Sequence, residues 1–170
     1  MDSDSRQVRP CTEGDLVVLR DLLPTVDDVA GHHYEQQRAG TATFLVCWDG
    51  DQPLGWGLVQ WQGCLGERAR AVFPSCVELN HLQVRPEHRG RGAGSAILAS
   101  AEQLVRERGL GRLAVSVGVD NPDAARLYRR LGYRPTAVLD DCAYSWFDGD
   151  GQRHDEVETA ELLVKDLSAG

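Results

Sequence analysis

The chain has 170 residues, 42% of them hydrophobic and 26% charged, the composition of one ordinary globular domain rather than a disordered or collagen-like chain. No apolar run approaches the roughly 18 residues a membrane helix needs. The polar, acidic start at Met1–Ser5 lacks the pattern of a secretory signal. The formal charge of −8 is opposite in sign to that of most nucleic-acid binders. A single cytoplasmic domain over 1–170, engaging neither nucleic acid nor membrane, is the expectation.

The charge is uneven. Lys165 is the only lysine, against 17 arginines. Residues 140–170 carry nine acids against Arg153 and Lys165, either a solvated strand face or a field that draws in a cationic substrate. The five cysteines (11, 47, 64, 76 and 142) are odd in number and form no CxxC, so free thiols in a reducing compartment are expected. The five histidines show no metal-ligand spacing, and no metal site is expected.

In chain order, a short strand at Gln7–Arg9 ends at Pro10. Thr12-Glu13-Gly14-Asp15 resembles a capping box with aspartate at the reach-back position, and Leu16, Leu19, Leu22 and Leu23 follow at helical spacing as far as Pro24. Residues 25–40 read as a second short helix or a loop. Thr43–Trp48 and Leu54–Trp61 flank a turn at 49–53 and predict a hairpin. Residues 62–75 carry glycine, arginine and proline and predict a loop. Cys76–Val84 predicts a strand ended by Pro86. A turn, Arg89-Gly90-Arg91-Gly92-Ala93-Gly94, then leads into a helix with Ile97, Leu98, Ala101, Leu104 and Val105 on one face, stopping at Gly109. Leu113–Val119 predicts a strand covered on both sides. Asn121-Pro122-Asp123 is a helix start, and Gly132 ends that helix. Strand-like runs at 136–147 and 157–167 flank an acidic turn at 148–151. The order strand, helix, strand, helix, strand from 76 to 140 implies crossover connections and at least some parallel pairing, within an α/β (α+β) fold.

A strand that feeds a glycine-rich turn into a helix offers first-turn N–H groups and the positive end of the helix dipole to a phosphate. Arg89 and Arg91 add charge there. The turn has no lysine for a Walker loop, and it matches the dinucleotide pattern GxGxxG/A poorly. It does fit R/Q-x-x-G-x-G/A as Arg89-x-x-Gly92-x-Gly94. The run from Leu82 to Gly94 closely resembles the acyl-coenzyme A loop of the GNAT superfamily of N-acetyltransferases. Asn121-Pro122-Asp123-Ala124-Ala125-Arg126-Leu127-Tyr128-Arg129-Arg130-Leu131-Gly132-Tyr133 is similar to the second signature of that family. The resemblance is specific over residues 76–135.

The resemblance implies a GNAT fold: a mixed, mostly antiparallel sheet of six or seven strands flanked by helices, with acyl-CoA lying where the fourth and fifth strands splay apart. It implies that the N–H groups of Arg89, Gly90, Arg91, Gly92, Ala93, Gly94 and Ser95 bind the pyrophosphate. The backbone of Leu82 and Val84 would pair with the pantetheine arm, the Val84 N–H would polarise the thioester carbonyl, and Asn121 would contact the pantetheine or order its loop. Tyr128 would stand beside the coenzyme sulfur as a general acid.

Acyl transfer to an amine needs a base, because an alkyl ammonium titrates near 10. Glu78 is the candidate. In a regular strand it shares a face with Asn80, Leu82 and Val84, and lies about 20 Å of strand from Val84, so a bulge or water chain has to close that distance. Asn80 and His81 are second choices, with His81 on the opposite face of a regular strand. Trp48, Trp56, Trp61 and Trp146 are expected to pack in the core. The function so implied is transfer of an acetyl group from acetyl-CoA to a primary amine, by direct attack, on a cationic small molecule or peptide. The alternative is a GNAT fold that holds acyl-CoA as a sensor without turnover. A homodimer is expected from family habit alone.

Overall fold

A computed structural model describes residues 5–168. Seven strands, β1 (Arg6–Pro10), β2 (Ala42–Asp49), β3 (Gln52–Gln60), β4 (Val77–Val84), β5 (Arg112–Gly118), β6 (Arg134–Phe147) and β7 (Arg153–Asp166), alternate with helices α1 (Asp15–Leu22), α2 (Val29–Arg38), α3 (Glu67–Val72), α4 (Ala93–Glu107) and α5 (Pro122–Arg130). The strand order is β1-β2-β3-β4-β5-β7-β6. The pairs β1–β2, β2–β3, β5–β7 and β6–β7 are antiparallel. This is the mixed, mostly antiparallel α/β sheet of seven strands that the GNAT resemblance implies. The chain divides into two compact units. One runs to Trp61 and includes Leu79–Leu104; the other comprises Gln62–Glu78 and the chain from Val105 onward.

In the first unit, α1 and α2 cover a core of Leu16, Leu19, Leu23, Ala30, Phe44, Val46, Trp48, Trp56 and Leu58. The Thr12–Asp15 capping box forms with aspartate as its second member. The Thr12 N–H donates to Asp15 Oδ2 at 2.8 Å, and the Asp15 N–H to Thr12 Oγ1 at 3.4 Å. Arg9 completes the entry to α1 by donating to Asp15 at 2.7 Å. Residues 25–40 resolve into a 3-10 turn at Val26–Asp28 and then α2. Gly55 in β3 is required by close packing, since a Cβ there would sit 2.3 Å from the Gln83 carbonyl oxygen. Bare backbone on β3 therefore seats the end of β4.

In the second unit, Cys64, Ala69, Cys76, Ala114 and Leu162 form a core with Phe73, Val138 and Val164 packed against it. Leu113, Ala114, Val115 and Val117 of β5 are buried as their pattern predicts, and Ser116 is exposed. The predicted loop at 62–75 instead contains α3. Its first-turn N–H groups at Arg68 and Ala69 donate to the Asp140 carboxylate at 2.9 and 3.0 Å. The cap comes from β6, far along the chain, so the local sequence carries no sign of it. β7 begins at Arg153, earlier than its apolar run, because Arg153–Glu156 pair with Tyr144–Phe147. Trp48 and Trp56 are buried, and Trp61 is half-buried with its indole N–H on Thr43 Oγ1 at 2.9 Å. Trp146 departs from the core expectation. It is 42% exposed and stacks on His154 across the β6–β7 ladder at a centroid distance of 4.6 Å.

Candidate active site

β4 ends at Val84, and a 3-10 turn at Pro86–His88 leads into the glycine turn. Gly90 and Gly92 have φ of +76° and +82°, conformations that a side chain strains. The Ala96 N–H closes the first helical bond onto the Gly92 carbonyl at 3.0 Å. The amides of Ala93, Gly94 and Ser95 come before any carbonyl a turn earlier and are the free donors of a helix N-terminus. The Arg89 N–H instead closes the 3-10 turn onto the Pro86 carbonyl at 3.4 Å. A Cβ on Gly90 would meet nothing within 4 Å, and the Arg89 and Arg91 side chains are exposed. Open backbone, positive φ and flanking guanidinium groups fit a diphosphate. Arg6 of β1 donates to the Arg91 carbonyl and lies against Gly92. Sequence reading missed this support, because β1 and the turn are far apart in the chain. Leu82 and Val84 are half-buried at the end of β4.

Glu78 is 2% exposed. Its carboxylate accepts the Leu65 N–H at 2.7 Å on Oε2 and the Ser116 hydroxyl at 2.9 Å on Oε1. Burial raises its pKa, the two hydrogen bonds oppose that, and Asp140 adds a further upward push. Arg70 braces the Leu65 segment through the carbonyls of Cys64 and Leu65. A buried carboxylate with raised pKa, joined to an exposed serine hydroxyl, is equipped to take up a proton and pass it outward. Leu65 and Ser116 are partners that the sequence did not single out. Nearby Cys142 is held as the thiol, its pKa raised by burial and then by the carboxylates around it, Glu78 first among them.

Tyr128 lies on the buried side of α5, 8% exposed, with its ring edge-on to Tyr133 at 6.2 Å. Burial pushes its pKa to about 12, so the phenol keeps its proton throughout the neutral range. Asn121 is the N-cap of α5, its Oδ1 accepting the Ala124 N–H at 3.2 Å.

The regular alternation expected along β4 breaks at His81, whose φ is +52°, a left-handed conformation uncommon outside glycine. Asn80, 9% exposed, leaves both side-chain amide atoms without a hydrogen bond. His33 of α2 is 4% exposed, and neither of its ring nitrogens makes a hydrogen bond. Its pKa falls to about 3, chiefly through burial and next through His81.

The chain belongs to the acetyltransferase (GNAT) family, whose model matches residues 16–133. An N-acetyltransferase of Methanocaldococcus jannaschii, itself uncharacterized, is 30% identical over 96 residues. That stretch is 56% of this chain and 41% of the relative, so the chain spans about two fifths of that protein's length. The Vibrio cholerae spermidine N-acetyltransferase in complex with CoA and spermine has a similar structure, with a TM-score of 0.66 at 16% identity over 96% of each chain. So does a GNAT family acetyltransferase of Elizabethkingia anophelis with acetyl-CoA bound, with a TM-score of 0.62 at 14% identity over 97% of this chain and 100% of that one. At such identities the likeness is one of fold.

Proposed function

We propose that the chain transfers the acetyl group of acetyl-CoA to a primary amine by direct attack in a ternary complex. The observation that carries this reading is the buried, proton-accepting carboxylate of Glu78, on a chain of the GNAT acetyltransferase family that also carries a glycine turn fit for a diphosphate. Bound acetyl-CoA supplies an activated thioester. The amides from Gly90 to Ser95 hold its diphosphate, the ends of β4 at Leu82 and Val84 guide the arm, and the Val84 N–H steadies the oxyanion. Asn121 orders the start of α5.

The amine sheds one proton before attack and a second when the tetrahedral adduct collapses. Glu78 accepts the first and hands it to solvent through the Ser116 hydroxyl. The C–N bond forms, the C–S bond breaks, and Tyr128 protonates the departing sulfur and is recharged by the second proton. The thiol state of Cys142 supports direct attack over an acyl-cysteine intermediate.

The test is thiol release by Glu78→Gln and Tyr128→Phe across a pH series. Glu78→Gln is expected to lose most of kcat, of the order of 100-fold, at neutral pH, and to recover as pH approaches the pKa of the amine. A loss independent of pH would remove the base role. Tyr128→Phe is expected to slow turnover with acetyl-CoA affinity nearly intact. A large fall in that affinity would make Tyr128 a packing residue.

A further inference from the structure

Beside α2, in the first unit, lies an open hollow of about 610 Å³ whose lining includes His32, His33, Glu35, Gln36, Thr41 and His81. Two features there are unfavourable unless a ligand repays them. His33 is almost wholly buried, its ring set edge-on against Phe44 at 5.1 Å and against Trp56 at 6.3 Å, yet neither ring nitrogen has a hydrogen bond of normal geometry, and the polar contact with Gln36 offsets only part of the burial. The His81 ring lies 4.7 Å from it, carried on a left-handed backbone that a histidine adopts at a cost. An aromatic side chain would fill the space of His33 without leaving polar atoms unpaired. The histidine makes sense where something enters the hollow and meets those nitrogens.

The chemistry of the pair narrows what enters. Burial and next the nearness of His81 disfavour a proton on His33, and desolvation lowers the pKa of His81 as well. A neutral imidazole offers one donor and one acceptor. That pattern matches a hydroxyl or a primary amide, which also donates and accepts. Glu35 is the one carboxylate lining the hollow, and it is engaged by Arg38 at 3.5 Å, which leaves little for a polycation. No lysine or arginine is among the residues lining the hollow to receive a carboxylate.

We infer that this hollow receives the uncharged polar part of the acceptor, with the ring nitrogens of His33 and His81 determining specificity, so that the acceptor is a primary amine bearing hydroxyl or amide groups rather than a polyamine or a free amino acid. The inference rests on the acetyl-transfer reading and names its substrate class.

The experiment measures acetyl-CoA-dependent thiol release by the full chain with four probes: glucosamine, alaninamide, spermine and alanine. Glucosamine or alaninamide is expected to exceed both spermine and alanine at least tenfold in kcat/KM. His33→Phe is expected to keep or raise Tm, because it removes unpaired polar atoms from an apolar site, and to raise KM for the preferred amine at least tenfold while KM for acetyl-CoA holds. Should that variant fail to fold, His81→Asn carries the same KM expectation, since asparagine tolerates the left-handed backbone. A preference for spermine or alanine overturns the inference, as does an unchanged amine KM in a folded variant. Binding of CoA with none of the four probes acetylated overturns the acceptor class and leaves the coenzyme reading intact. Absence of CoA binding overturns the acetyl-transfer reading, and this inference with it.

Discussion

Two buried titratable residues, Glu78 and His33, pull the pH dependence of stability in opposite directions. The pKa of Glu78 is raised above its ordinary value. Its favourable contribution is therefore complete below the unfolded carboxyl pKa, near 4.3, and is lost as pH rises through the higher folded value. Denaturation of Glu78→Gln alongside the parent from about pH 4 to about pH 8 should show a stability difference that moves in favour of glutamine as pH rises. A difference constant with pH would mean that Glu78 titrates normally. His33, whose pKa is lowered to about 3, does the reverse. Its contribution is present above the unfolded histidine value, near 6.5, and erodes as pH falls, by about 1.4 kcal/mol per pH unit at most. His81, also lowered and facing the same ring, adds to that slope. His33→Phe should flatten the acid limb between about pH 6 and about pH 4; an acid limb as steep as that of the parent would contradict it.

Among the elements, α3 shows how Glu78 is held. Asp140 caps the first turn of α3, and the residue just ahead of that helix's entry, Leu65, gives its N–H to Glu78. Asp140→Ala should cost about 1–2 kcal/mol of stability, the usual worth of a cap, and should also lower kcat by loosening the Leu65 amide. A fall in Tm with kcat unchanged would separate the helix from the catalytic carboxylate. α3 is also where sequence reading falls short. Six residues of ordinary helix propensity lie between glycine and proline signals, and the carboxylate that organises them is supplied by β6. α4 and α5 carry their own starts and stops, in the glycine turn and in Asn121-Pro122, and so are legible to within a residue or two. The site divides the same way. The glycine turn, Glu78, Tyr128 and Asn121 stand out as candidates because each sits in a local motif or breaks an apolar pattern. Leu65, Ser116, Arg6 and the break at His81 depend on pairing between distant segments, or on a backbone angle, and no spacing announces them.

On the scale of the whole molecule, a formal charge of −8 would have to admit the proposed coenzyme, itself an anion. The acids gather in residues 140–170, on the β6–β7 hairpin, where Asp148, Asp155 and Glu156 stand among exposed Tyr144, Trp146 and Phe147. A singly cationic amine should gain from that field. Its kcat/KM is expected to fall about threefold as NaCl rises from about 20 mM to about 500 mM, where the screening length shrinks to a few ångströms. No change with salt would make the acidic hairpin a solvated surface only. On the proposed reading the anion would depend instead on local geometry, with the first-turn amides of the glycine turn and the two flanking arginines acting over a short range against the net charge. The most direct measurement is calorimetric titration of CoA into the full chain and into Gly92→Ala, whose added methyl would strain a φ of +82° and crowd Arg6. The account predicts one CoA per chain for the parent and affinity at least tenfold weaker for Gly92→Ala, about 1.4 kcal/mol. CoA that fails to bind the parent, or that binds both proteins equally, would contradict it.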